Sequence, residues 1–404
     1  MGATMGVLDG VKVLELAEFG FVPACGAILA DWGAEVVKVE RATGDPLRAV
    51  QAAGFVPDTG DFNHLWELYN RNKRGVSIDL RIDDGRAVFD RLVAWADVMI
   101  TNFLPSARAK LRVEPDDVWA VNPRLIYAKG HGQGQQGPDA DQGGFDAVSY
   151  WCRGGIAHML SPAKGPLIMQ RGAMGDGPGG AYLAGGVAAA LYQRERTGKG
   201  MVVDVSLLAA ATWTLAPDLT ATSVLGEAPP TMDVTRPLSN PLVGSYRTAD
   251  GRWVMLNMLD DARHWAPACR ALGLAELIDD ARFADTKARA EHREELHRLI
   301  TERIAATALA DLRAELGAED TIWSVIASPA EVLEDPQVLA NGYLAAHPAH
   351  ARARLPGSPA QFDDRPHEVR RRAPATGEHT DEVLTEVGVE PAEIARLRGM
   401  GALA

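Results

Sequence analysis

The sequence predicts an α/β protein: a Rossmann-like large domain with a mostly parallel sheet, followed by a smaller α+β domain. Three observations carry this reading. Short apolar runs alternate with helix-length amphipathic segments through residues 11–216, the pattern of repeated βαβ units. Single helices join successive strands, which favours parallel pairing with right-handed crossovers. Past residue 216 the alternation gives way to one hairpin and a group of helices.

The elements follow in order. Val11-Lys-Val-Leu-Glu-Leu16 reads as a largely buried strand, and Pro23 suits the first turn of a helix running to Trp32, with Gly33 as its stop. Glu35 to Val39 is a second strand and Gly75 to Leu80 a third. Asp84 to Ala96 is an amphipathic helix, and Val98 to Thr101 another strand. Leu125 to Ala128 is a strand that opens into the glycine-rich loop Gly130-His-Gly-Gln-Gly134. A small-residue helix spans Gly180 to Arg196, then Met201 to Val205 is a strand with an apolar helix after it. The domains expected are a large one over 1–216, a linker over 217–237 rich in Pro, Thr, Met and Glu, and a small α+β domain over 238–325. Residues 326–404 form a second linker and a C-terminal segment. Pro241 to Asn257 reads as a hairpin turning at Ala249-Asp-Gly251, with helices at 262–272, 288–305 and 309–316.

Hydrophobic residues make up 47% and charged residues 24% of the 404, enough apolar surface to offset chain entropy, so extended disorder is excluded. A net charge of −13 argues against nucleic-acid binding through the overall field, while leaving room for an anion held by local cations. Cys25, Cys152 and Cys269 form no metal-ligand spacing and read as reduced, buried thiols, so no metal is expected. The N-terminus lacks the basic and apolar regions of a secretory signal, and no apolar stretch is long enough to span a bilayer. The expectation is a cytoplasmic protein.

The most informative segment is Gly172-Ala-Met-Gly-Asp176-Gly-Pro-Gly-Gly180. Asp176 stands among small residues ahead of a helix. Glycines let a ligand approach the backbone, and N–H groups at Gly177, Gly179 and Gly180 can stabilise an oxyanion. A carboxylate there can attack an acyl group or carry a proton. It can equally be a helix N-cap, which from spacing alone is the commoner outcome. The turn after the first strand, Ala17 to Pro23, holds one glycine, which weakens a dinucleotide assignment. Cations recur near strand ends at Lys38, Arg41, Arg48, Lys73, Arg74 and Lys110. Singly each is a surface charge, and together they suggest an anionic ligand.

These residues bring a family with them. Leu8-Asp-Gly-Val-Lys-Val-Leu-Glu-Leu16, Leu29-Ala-Asp-Trp-Gly-Ala-Glu-Val-Val-Lys-Val-Glu40, Asn70-Arg-Asn-Lys-Arg74, Asn102-Phe103, Asn122-Pro-Arg-Leu-Ile-Tyr127, Gly132 to Pro138, Gly175-Asp176, Thr197-Gly-Lys-Gly200 and Gly377 to Leu384 fall in order along the chain. They resemble the family III coenzyme A transferases, the group that includes formyl-CoA transferase, carnitine CoA-transferase and α-methylacyl-CoA racemase. The resemblance implies an interlocked homodimer whose C-terminal segment returns to the large domain. It implies acyl-CoA and a carboxylic acid as substrates, with no tightly bound cofactor. It makes Asp176 the nucleophile and places Phe19, Gly20, Phe21, Arg41, Asn72, Lys73, Arg74, Asn102, Phe103 and Lys110 at coenzyme A. Lys110 stands where formyl-CoA transferase has an arginine and Gly20 where it has a glutamine, which argues against formyl or oxalyl substrates.

Racemases of this group pair the aspartate with a histidine in a Gly-His-Asp motif. Here that stretch reads Gly144-Phe145-Asp146, and phenylalanine exchanges no proton. His131, about fourteen residues earlier, is the remaining imidazole nearby. The reading is therefore a transferase working through an aspartyl-CoA intermediate, with an acyl-CoA racemase second and a non-catalytic acyl-CoA-binding protein third.

Overall fold

In the computed structural model, which describes residues 6–162, 165–231 and 237–404, the strands of the first half form one six-stranded sheet. The elements are β1 (Lys12–Leu16), α1 (Phe21–Asp31), β2 (Glu35–Glu40), α2 (His64–Asn70), β3 (Lys73–Ser77), α3 (Asp83–Trp95), β4 (Val98–Thr101), α4 (Pro105–Leu111), α5 (Pro115–Trp119) and β5 (Ile126–His131). They continue with α6 (Ile156–Leu160), α7 (Asp176–Thr197), β6 (Val202–Ser206), α8 (Leu207–Thr214) and α9 (Ala216–Leu225). The sheet order is β3-β2-β1-β4-β5-β6 and every pairing is parallel. The order reverses beside β1, between β1 and β4, which is where an open α/β sheet leaves its ligand crevice.

Side chains alternate between two cores. Val13, Val98, Ile100, Ile126 and Ala128 pack toward α1 and α7, while Leu14, Met99 and Tyr127 pack toward α3 on the other face. Both faces are covered, so the strands carry apolar residues on both sides. Residues Phe21 to Ala30 of α1 are all buried, because α1 is enclosed between the sheet and α7. The two helices approach closely: a Cβ on Gly179 would meet the Phe21 ring at 2.7 Å, and one on Gly180 would meet Ala24 Cβ at 2.7 Å.

The chain divides into two compact units, Met232–Asp335 and the remainder, which includes Pro336–Ala404. In the smaller unit β7 (Val243–Arg247), β8 (Trp253–Asn257) and β9 (Trp323–Val325) form an antiparallel sheet in that order. Beside it are α10 (Asp261–Ala271), α11 (Thr286–Glu291), α12 (Arg293–Ala305) and α13 (Leu309–Gly317) around a core of Tyr246, Leu256, Trp265, Phe283 and Ile300. The C-terminal helices α14 (Thr380–Glu386) and α15 (Pro391–Gly399) place Val383, Leu384, Ile394 and Leu397 in the core on the α3 side of the large sheet. Among the described residues no helix is long and apolar enough to cross a membrane, and no cluster of three or more ligating side chains could hold a metal ion.

Several expectations need correction. Residues 217–225, expected as the start of a linker, belong to the helix α9, with Pro217 in its tolerated first turn; positions 232–236 of that linker lie outside the described residues. Residues 288–305, read as one helix, are two, α11 and α12, with His292 between them. Gly130 and His131 belong to β5 and not to a loop, because β6 pairs with them through Val205 and Ser206. Cys152 is exposed, whereas Cys25 and Cys269 are buried.

Candidate active site

A cavity of about 680 Å³ opens at the carboxyl ends of the strands. Its wall includes Glu18 to Phe21 after β1, Arg41 and Asp45 after β2, Asp79 to Arg81 after β3, Asn102 and Phe103 after β4, and His131 and Gly132 ending β5, with Phe145 and Asp176. Residues more than a hundred apart converge because each strand hands its chain to a loop on the same edge.

Asp176 is the first residue of α7. The N-cap is Gly175, which has no side-chain cap hydrogen bond, so the carboxylate is not spent on capping. It faces the start of α1 instead: a Cβ on Gly20 would lie 2.4 Å from Asp176 Oδ2. Gly20 is the N-cap of α1, and the first-turn N–H groups of a helix have no partner within it. Asp176 therefore sits beside an amino-terminal dipole end, on the wall of the cavity. Burial, reinforced by the nearby Asp146 charge, pushes the Asp176 carboxyl up to about 7. Asp146 is itself buried and accepts a hydrogen bond from the Gly175 N–H at 3.4 Å.

The glycines expected to support an oxyanion divide. Gly177 is open. Gly179 donates its N–H to the Gly175 carbonyl at 3.0 Å, and Gly179 and Gly180 both press against α1. Their small size serves helix packing, and the first turn of α1 is the freer donor set.

His131 is buried and lines the cavity. Asp204 Oδ2 lies 3.4 Å from its Nε2 and Gln135 contacts the ring. Burial, with the charges of Arg108 and Lys129, nevertheless pushes the imidazole down to about 4, so it is neutral near pH 7. Phe145 is 57% exposed and meets Phe19 edge to face, ring centres 5.0 Å apart. The position that would carry a racemase acid/base is thus part of an aromatic wall.

The family model described as CoA-transferase family III matches residues 8–380. The chain belongs to CoA-transferase family III. This family III enzyme is 31% identical to (R)-2-hydroxy-4-methylpentanoate CoA-transferase of Clostridioides difficile over 96% of this chain and 97% of the relative. It is 30% identical to cinnamoyl-CoA:phenyllactate CoA-transferase of Clostridium sporogenes over 97% and 96%. A solved CAIB/BAIF family protein from Brucella suis has the same fold, with a TM-score of 0.82 and 30% identity over 95% of this chain and all of that one. As a family III CoA-transferase, the enzyme moves coenzyme A from an acyl-CoA thioester to a carboxylic acid.

Seen in this CoA-transferase, the cations expected at coenzyme A separate. Arg41 lines the cavity with its side chain 58% exposed and Glu18 3.5 Å away. Lys110 is exposed on α4 but does not line the cavity, although its neighbours Ala107 and Leu111 do. Asn72, Lys73 and Arg74 lie at the opposite end of β3 and do not line it either. Asn72 bonds Asp31 and the backbone of Glu368, Arg370 and Arg371. Lys73 is fully buried against Glu15 at 2.7 Å, and Arg74 is shared by Glu35, Glu382 and Glu386. Lys38, read as a surface charge, is fully buried too. Residues that the sequence reading missed stand in their place: Asp79, Leu80 and Arg81, directly after β3, line the cavity.

Proposed function

We propose that Asp176 of this CoA-transferase is the covalent nucleophile. Its carboxylate attacks the donor thioester carbonyl, the carbon–sulfur bond breaks, and coenzyme A leaves as a thiolate from a mixed anhydride. The thiolate then attacks the Asp176 carbonyl, giving an aspartyl-CoA thioester and the free donor carboxylate. An acceptor carboxylate attacks that thioester, forming a second anhydride and again a thiolate. Attack of the thiolate on the acceptor carbonyl gives the new acyl-CoA and restores Asp176. In each step one activated acyl bond breaks as another forms, so a difficult exchange is divided into easier ones, which is the gain of covalent catalysis. The first-turn N–H groups of α1 and the Gly177 N–H would stabilise the tetrahedral oxyanions. Arg41, Arg81 and Phe103 would line the coenzyme A end, and Phe19 and Phe145 the acyl end.

The observation that carries this reading is the placement of Asp176: partly buried, free of a capping role and beside Gly20 at the start of α1. Asp176→Asn should abolish transfer, by at least about 10³-fold, because an amide cannot form the anhydride, while coenzyme A still binds. Incubation of the wild type with acyl-CoA followed by hydroxylamine should mark Asp176 in peptide mass spectrometry. An active Asn variant, or a label on another carboxylate, rejects the assignment.

We further propose that the enzyme is a homodimer, interlocked as the family resemblance implies. Helix α9 buries no residue, and Val224 and Leu225 on it are 80% and 64% exposed, an apolar surface suited to a partner. A single-chain mass in sedimentation would reject this.

A further inference from the structure

The segment joining β1 to α1 is short, and side chains from elsewhere in the fold hold its backbone. Lys38 Nζ donates to the Ala17 carbonyl at 2.6 Å. Asn102 takes both backbone groups of Glu18, accepting from the N–H at 3.0 Å and donating to the carbonyl at 2.6 Å. Asp45 Oδ1 accepts from the Phe19 N–H at 3.1 Å. Beyond Gly20, Lys73 Nζ donates to the Pro23 carbonyl at 2.9 Å. Phe19 itself sits at φ +65°, a conformation that a non-glycine residue keeps only where its surroundings impose it.

The charged clamps are tied to one another. Glu15 Oε1 lies 3.0 Å from Lys38 Nζ, Glu15 Oε2 lies 2.7 Å from Lys73 Nζ, and Asp45 Oδ2 lies 3.0 Å from Lys38 Nζ. All four side chains are completely buried. Stability alone is a poor reason for four buried charges, since an apolar set of similar volume fills a core as well. What charges add is direction, and here their bonds point at the segment whose Gly20 abuts the Asp176 carboxylate.

We propose that Lys38, Asp45 and Asn102 are positioning residues for the transfer reaction, Lys38 being held by Asp45 directly and joined to Lys73 through Glu15, with Asn102 acting on Glu18 independently. They fix Ala17 to Pro23 so that the first turn of α1 stands against Asp176 and the carbonyl it attacks. The inference rests on Asp176 being the nucleophile. The three residues act through the backbone of this segment, so their loss lets it relax from the reactive geometry while leaving the far end of coenzyme A in place.

Two variants test this. Asp45→Asn keeps the size of the side chain and removes the charge that faces Lys38. Asn102→Ala removes both bonds to Glu18 without altering a buried charge, so it reports even where Asp45→Asn folds poorly. Each is measured for kcat, for coenzyme A affinity and for the rate of hydroxylamine trapping at Asp176. The expected result is a fall in kcat and trapping of about 10- to 100-fold, with coenzyme A affinity within about threefold of wild type. Unchanged kcat in Asn102→Ala overturns the proposal, as does a loss of coenzyme A affinity equal to the loss of kcat, which would make the segment a binding wall. Asp176→Asn is the reference. An inactive Asp176→Asn beside a fully active Asn102→Ala rejects the positioning role alone, whereas an active Asp176→Asn rejects the nucleophile.

Discussion

At the carboxyl-terminal edge of the large sheet, Arg41 and Arg81 have side chains 58% and 80% exposed, and each stands beside a single carboxylate. At the opposite edge Arg74 is 10% exposed and is divided among Glu35, Glu382 and Glu386. The sequence presents these arginines as equals, each close to an end of a strand. The fold separates them by how much of their bonding capacity is already used. A guanidinium facing three carboxylates has nothing left for a phosphate, whereas one with a single neighbour in water can exchange it. The same contrast runs through the carboxylates. Glu15 and Asp45 are locked by lysines at 2.7–3.0 Å, while Asp176 has a second carboxylate for a neighbour and no capping role.

The largest effect that tests this contrast is at the point where the reactive edge is tightest. Gly20→Ala puts a methyl 2.4 Å from Asp176 Oδ2, so kcat should fall by about 100-fold or more. Gly177→Ala, facing open space beside the same carboxylate, should cost far less. Equal kinetics in the two variants would mean that Asp176 is not held where it is described. A smaller effect compares the two edges directly. Arg41→Ala and Arg81→Ala should each weaken coenzyme A binding by about fivefold, around 1 kcal/mol of affinity for the pair's mean. Arg74→Ala should leave that affinity unchanged in titration calorimetry and lower the melting temperature, because three glutamates lose their partner. A drop in affinity in Arg74→Ala would move the nucleotide end of the site to the other edge.

The smallest effect is a displacement of the pH profile. Burial first, and the Asp146 charge second, raise Asp176 to about 7, and the nucleophile must be ionised. The acid limb of kcat/KM should therefore fall as pH drops through about 7. Asp146→Asn removes only the second cause, so the limb should move to lower pH without reaching that of an exposed carboxylate. A limb that stays in place would assign it to another group.

Most strands were legible from their apolar residues, and Val98–Thr101 appears with the bounds its composition predicts, whereas the third strand, expected at Gly75 to Leu80, is Lys73–Ser77 because it opens on two charged residues. Asp176 stood out through the glycines around one carboxylate, yet spacing alone favoured a helix cap, and it was the family resemblance that made it the candidate nucleophile. Burial of Lys38 and Lys73 was not, since it depends on Glu15 and Asp45, whose approach is a matter of register between strands. Asn72 to Arg74 show a different failure. They stand at the amino-terminal end of the third strand, whose first two residues are Lys73 and Arg74, and the crevice of an open α/β sheet lies past the carboxyl ends. That rule already pointed to Asp79-Leu80-Arg81, and the family resemblance outweighed it. Helix α9 escaped because Pro217 and a run of Thr and Ser look like a connection, although proline is at home in a first turn.

The glycine-lined crossing of α1 and α7 has a consequence for how this enzyme meets heat. Gly179 and Gly180 bring the two backbones so close that a methyl added at either would press the starts of the two helices apart. Asp176 and the dipole end it faces are thus carried on the same joint as the central packing of the domain. Tightening or loosening that joint by a few tenths of an ångström leaves the exposed arginines where they are but changes the reach of Asp176. Heating is therefore expected to lower turnover at a temperature at which the chain still holds coenzyme A.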